Sequence, residues 1–80
     1  MLEVVAYIDG GARGNPGPAG YGVRIERPDG TLIEELGASI GTATNNVAEY
    51  RGLLAALEWA RAHGYEPPTA HEEVGGRSQP

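Results

Sequence analysis

Tyr7-Ile8-Asp9-Gly10-Gly11-Ala12-Arg13-Gly14-Asn15-Pro16-Gly17-Pro18-Ala19-Gly20 decides how this chain folds. Upstream of it, Val4, Ala6 and Ile8 alternate with Val5, Tyr7 and Asp9, and apolar residues on both faces are the mark of a central strand running from Leu2 to Asp9. Asp9 stands at the strand's carboxyl end on this reading, before a connection rich enough in glycine and proline for other backbone or a ligand to approach closely. On the Asp-Gly dipeptide alone, Asp9 reads rather as a turn former, and it is the wider context that reverses this.

Downstream, Tyr21, Val23 and Ile25 alternate with Gly22, Arg24 and Glu26, and Pro28-Asp29-Gly30 is a hairpin turn into a return strand from Leu32 to Ile40. The alternation of that strand changes phase at Glu34-Glu35, which predicts a bulge there and leaves both glutamates on a solvated face. Thr44 or Asn45 then caps a helix that runs to about His63 and stops at Gly64. Val47, Tyr50, Leu54, Leu57 and Arg61 form one helical stripe, and Glu49, Leu53, Ala56 and Ala60 form another, which predicts a wide buried face. Glu49 falls at the edge of that face in the first turn, where an acid also complements the helix dipole. Trp59 and the tyrosines read as packing residues. From Tyr65 onward almost no apolar residue remains, so residues 65–80 read as a disordered tail and residues 1–64 as the folded domain.

Composition narrows the chemistry. Eighty residues suffice for one small domain with a thin core. With no cysteine there are no disulfides or thiolate metal sites, so a metal would be a hard cation on oxygen or imidazole ligands. His63 and His71 share no ligand spacing with a third partner. No apolar run reaches the roughly 20 residues that span a bilayer, and the amino terminus lacks a signal peptide's basic start, so a cytoplasmic protein without membrane contact is expected. Eleven acids against six arginines give a net charge of -5. Charge alone therefore does not attract a nucleic acid, and hydrogen bonds or divalent cations would have to contribute. A Walker-type phosphate loop is excluded by the absence of lysine, and the glycines do not follow the Gly-x-Gly-x-x-Gly spacing.

Four pieces occur in order: Ile8-Asp9-Gly10-Gly11, Gly14-Asn15-Pro16-Gly17-Pro18-Ala19-Gly20-Tyr21-Gly22, Thr44-Asn45-Asn46-Val47-Ala48-Glu49-Tyr50 and Gly52-Leu53-Leu54-Ala55-Ala56-Leu57. In this combination the chain resembles type 1 ribonuclease H over residues 2 to about 65. The resemblance implies an α/β fold, here a partial ribonuclease H-like domain of three antiparallel strands followed by one helix (β-β-β-α), with the later strands and helices missing. It implies a metal-dependent endonuclease that hydrolyses the RNA strand of an RNA/DNA hybrid. Two Mg2+ or Mn2+ ions about 3.5 to 4 Å apart would activate the attacking water and stabilise the leaving oxygen.

By position, the resemblance makes Asp9 the metal-bridging aspartate and Glu49 the helical metal ligand. It assigns Asn15, Asn45 and Asn46 to the minor groove of the hybrid, where contact with the 2'-hydroxyl separates RNA from DNA. Thr44 would touch a phosphate of the DNA strand, and the Gly10-Gly11 backbone would lie against the RNA. Two further aspartates of the family have no counterpart, so the site is incomplete. The segment Val74-Gly75-Gly76-Arg77-Ser78-Gln79 resembles the family's next strand, with Arg77 where an aspartate belongs. The first strand would then have an open edge, available for self-association or a complementing half. The alternative function is an inactive nucleic-acid-binding or assembly module.

Overall fold

The computed structural model describes residues 3–72. Four strands and one helix follow in the order β1 (Val5–Ala12), β2 (Gly17–Glu26), β3 (Leu32–Ala43), α1 (Asn45–Ala62) and β4 (Thr69–Glu72). They build one mixed sheet, ordered β3-β2-β1-β4, in which β2 is antiparallel to β1 and β3 while β4 is parallel to β1.

The three antiparallel strands and the helix are as expected, but three local details differ. First, β1 does not end at Asp9. It continues through Gly10, Gly11 and Ala12, which pair with Tyr21, Gly20 and Ala19. Glycines are weak strand formers by themselves, yet the ladder to β2 holds them extended, and the true connection shrinks to residues 13–16. Second, the bulge precedes Glu34: Ile25 pairs with Glu34 and Glu26 with Leu32, which leaves Ile33 as the extra residue. A second shift skips Ile40, between the pairs Ala19–Gly41 and Gly20–Ser39. Third, Thr69–Glu72 lies within the segment expected to be unstructured and forms β4. Val5 pairs with Thr69 and Ile8 with Glu72, and Thr69 N–H donates to Val4 O at 3.2 Å. The amino-terminal half of β1 is thus covered on the edge expected to be open. Arg77 and the rest of its segment lie outside the described residues.

The β2–β3 turn is closed by local bonds. Gly30 N–H donates to Arg27 O and Arg27 N–H to Thr31 O, each at 2.8 Å, while Asp29 Oδ1 accepts from Thr31 N–H at 2.9 Å. Gly30 sits at φ +95, a conformation that penalises any side chain.

Helix α1 packs on one face of the sheet. Its N-cap is Thr44, whose Oγ1 accepts from Val47 N–H at 3.3 Å. Its other end closes with Gly64 N–H donating to Arg61 O (3.3 Å) and Tyr65 N–H to Ala60 O (2.9 Å), with Gly64 at φ +79. These are the paired bonds of a Schellman ending, in which a glycine takes the left-handed position. The buried row of the helix is Ala48, Gly52, Ala56 and Ala60, set against Val4, Ala6, Ile8, Val23 and Ile25. The stripe headed by Val47 is the one that faces solvent: Val47, Tyr50, Leu57 and Arg61 are exposed, with Tyr50 at 60%. Small residues decide this, because helix and sheet come closest where no large side chain keeps them apart. A Cβ on Gly10 would stand 2.7 Å from Ala48 C and from Glu49 N, and one on Gly52 would stand 2.7 Å from Ile8 Cγ2.

Candidate functional site

Strand alternation sorts the residues of β1 onto two faces. Ala6, Ile8 and Gly10 are buried on the side of α1, whereas Tyr7, Asp9 and Gly11 are half-buried on the opposite side. On that second face the Arg24 guanidinium lies 4.7 Å from the centroid of Tyr7, and His71 of β4 stacks on the same ring at 5.2 Å. Arg24 Nε also pairs with the carboxylate of Glu26. Asp9 lies beside this polar row. It also lines a shallow open depression together with Arg13, Gly20, Tyr21, Ser39 and Asn45.

Glu49 is half-buried on α1. It is the fifth residue of the helix, beyond the first turn, which contains no acid. The helix-dipole explanation for it is therefore weakened, since that effect falls off within the first turn. Gly10 connects the two carboxylate-bearing elements: its backbone abuts Ala48 and Glu49, so Asp9 and Glu49 each lie one residue or less from a single strand–helix contact.

The asparagines fix this junction. Ala12 N–H donates to Asn45 Oδ1 at 2.7 Å, and Asn45 N–H donates to Asn15 Oδ1 at 2.9 Å. Asn15, in the β1–β2 connection, is thereby tied to the first residue of α1, directly after the Thr44 cap. Asn46 is exposed on the same first turn. The structure thus gathers Gly10, Gly11, Asn15, Thr44, Asn45 and Asn46 around one end of β1. Sequence reasoning passed over Arg13, Tyr21 and Ser39. Arg13 had a visible signal, as the one basic residue within the glycine-rich stretch. Tyr21 and Ser39 depended on the strand register.

The donor set suits a hard cation in kind, since both acids offer oxygen. It falls short in number: the described residues contain no group of three or more His, Cys, Asp or Glu side chains able to hold a metal ion. A two-metal centre is not completed by the described residues. No helix among the described residues is long and apolar enough to cross a membrane.

A mixed sheet ordered β3-β2-β1-β4, with α1 crossing over from β3 to β4 on one face, defines the amino-terminal part of a ribonuclease H-like domain. Residues 7–70 match the family model described as "Reverse transcriptase-like", and the chain belongs to this ribonuclease H-like family. It is 57% identical over 58 residues to the bifunctional protein Rv2228c of Mycobacterium tuberculosis, covering 71% of this chain and 16% of that protein. It is 52% identical over 64 residues to ribonuclease HI of Halobacterium salinarum, covering 80% of this chain and 32% of the relative.

Among solved structures, the N-terminal RNase H domain of Rv2228c from Mycobacterium tuberculosis, as a fusion protein with maltose-binding protein, superposes with a TM-score of 0.84. Identity is 47%, over 91% of this chain and 53% of the other. LC11-RNase H1 in complex with an RNA/DNA hybrid gives a TM-score of 0.81 at 44% identity, over 89% of this chain and 54% of that one. The chain therefore spans a third or less of these two curated relatives and about half of the solved chains.

Proposed function

We propose that this chain is the hybrid-engaging, amino-terminal part of a metal-dependent ribonuclease H-type endonuclease that cleaves the RNA strand of RNA/DNA hybrids. The observation that carries this reading is the junction at Gly10, where the strand bearing Asp9 meets the helix bearing Glu49 and the two asparagines lock the contact. A relative at 44% identity binds an RNA/DNA hybrid, which supports the same substrate class here. In this reading Asp9 and Glu49 supply two oxygen ligands to Mg2+ or Mn2+. The remaining ligands come from a complementing segment. When bound, the ions would supply an activated water and charge neutralisation at the leaving oxygen. Asn15, Asn45 and Asn46 face the minor groove, Arg13 and Thr44 meet phosphate, and the Gly10-Gly11 backbone admits the RNA strand closely.

One observation favours a second reading, an inactive hybrid-binding module: the described residues contain no third ligand. The two are separated by mixing the chain with a polypeptide covering the carboxyl-terminal half of a ribonuclease H relative and measuring hybrid cleavage with Mg2+. Cleavage that is lost in Asp9→Asn, with hybrid binding retained, supports the enzyme. Binding without cleavage in every mixture supports the module.

A further inference from the structure

Among the described residues, the large apolar side chains left exposed are Leu32, Val47, Tyr50 and Leu57, and the last three share α1. Leu54 lies between them and Arg61 follows, so the run from Val47 through Tyr50, Leu54 and Leu57 to Arg61 steps alternately by three and four residues. That is the heptad spacing that keeps one seam of a helix facing a partner helix. The seam lies opposite the buried row Ala48, Gly52, Ala56 and Ala60, so the sheet does not cover it. From Val47 to Leu57 it extends about 15 Å along the helix axis.

Charge decides what fits this seam. On one flank Arg51 and Glu58 stand exposed one heptad apart, and neither is ion-paired among the described residues. Opposite charges so spaced are self-complementary under a two-fold axis. A second α1 laid antiparallel on the first brings its Glu58 to Arg51 and its Arg51 to Glu58. The same register sets Leu54 against the second copy's Leu57, and Tyr50 against its Arg61, whose guanidinium suits the face of a phenol ring. Asn46 and Leu53 form the other flank and bring no like charges together.

We infer that the outer seam of α1 docks a second copy of this chain as an antiparallel, two-fold symmetric helix pair. The face is separate from the Asp9–Glu49 junction and from the edge of β1. It serves the same purpose whether or not the chain acts on nucleic acid.

The test is sedimentation of the full 80-residue chain over a wide range of concentration. It is run at physiological salt, which screens the general repulsion between two copies of net charge -5 but leaves close pairs effective. The parent should pass from monomer to dimer as concentration rises. Arg51→Glu alone sets acid against acid at both ends of the pair, and Glu58→Arg alone sets base against base. Each should weaken dimerisation by roughly tenfold or more. An equimolar mixture of the two variants restores attraction at both ends and should dimerise as the parent does. Both positions are exposed, so helical circular dichroism should stay at the parent's level.

A parent that is monomeric at every concentration overturns the proposal. So does a dimer that both single variants retain, which would place association on another surface, and so does a mixture that stays monomeric. A parent that is monomeric alone but forms an equimolar complex with the carboxyl-terminal half of a ribonuclease H relative assigns the seam to that half and overturns the second copy.

Discussion

Replacing Gly10 by alanine places a methyl group where the structure has none to spare. The new carbon would stand 2.7 Å from Ala48 C, Ala48 O and Glu49 N. Ordinary carbon contacts lie at about 3.5 to 4.0 Å, so the intrusion is close to 1 Å. All three atoms are main chain inside a helix, and no rotamer change can clear them. The helix must retreat, and in retreating it stretches the Asn45 bond to Ala12.

Overpacking of this kind costs about 1–3 kcal/mol, and the rigidity of the neighbours puts Gly10→Ala toward the upper end. With a urea dependence near 1 kcal/mol/M for so small a domain, the unfolding midpoint should fall by about 2–3 M. Trp59 reports the transition, because it is half-buried on α1 and stacks on His63 at 4.2 Å and Tyr65 at 5.3 Å. Gly22→Ala is the matched control, since nothing lies within 4 Å of its Cβ position and its φ is not in the left-handed region. That variant should leave the midpoint unchanged or raise it, as a restricted unfolded chain gains about 0.4–1 kcal/mol. A Gly10→Ala midpoint at or above the parent's, or an equal fall in Gly22→Ala, would refute the close-approach argument.

Thr44→Ala removes the oxygen that accepts from Val47 N–H and should destabilise the domain by about 1 kcal/mol, read by thermal melting of the helical circular dichroism signal. Asp29 is held below its usual carboxylate range, chiefly by the Thr31 hydroxyl and then by Thr31 N–H, with Arg27 adding to it. Its folded pKa is depressed, so its stabilising contribution is complete above the unfolded value of about 3.9 and is lost as pH falls through the folded value. Asp29→Asn should therefore flatten the acid limb of a stability curve slightly. A limb of unchanged slope would show that the turn carboxylate contributes nothing.

The features legible in the sequence were those encoded locally. Pro28-Asp29-Gly30 specifies its own turn, Thr44 and Gly64 specify the helix ends, and the apolar residues on both faces from Val4 to Ile8 specify β1 as a central strand. What escaped was encoded by partners distant in sequence. Gly10 and Gly11 carry no side chain to declare a strand, and only pairing with Gly20 and Tyr21 keeps them extended. β4 follows Pro67-Pro68 and holds one small apolar residue, Ala70, so its alternation is silent. It exists because β1 offers a parallel ladder and Tyr7 offers His71 a ring to stack on. The helix face was misjudged for a related reason: hydrophobic spacing weights Val47, Tyr50 and Leu57, whereas close approach selects Ala48 and Gly52. At the candidate site, Asp9, Glu49 and the asparagines could be named from the motifs, but the hydrogen bonds that orient the amides could not.

The place where these residues converge follows from the topology. β1 is the only described strand with one antiparallel and one parallel neighbour. β4 pairs with its Val5–Ile8 half, and β2 accompanies it through Asp9 to Ala12. This second half lies at the carboxyl end of the parallel pair, where open α/β sheets characteristically bind ligands. A half-buried main-chain donor there needs an acceptor. Here Ala12 N–H is met by Asn45, from the helix that made the crossover. The bond that satisfies this donor is thus also the one that fixes the helix carrying Glu49 beside the strand carrying Asp9. Substituting Asn45 by a residue without an acceptor should accordingly disturb the end of β1 and the site together, and no substitution that leaves Ala12 N–H unpaired can separate the two.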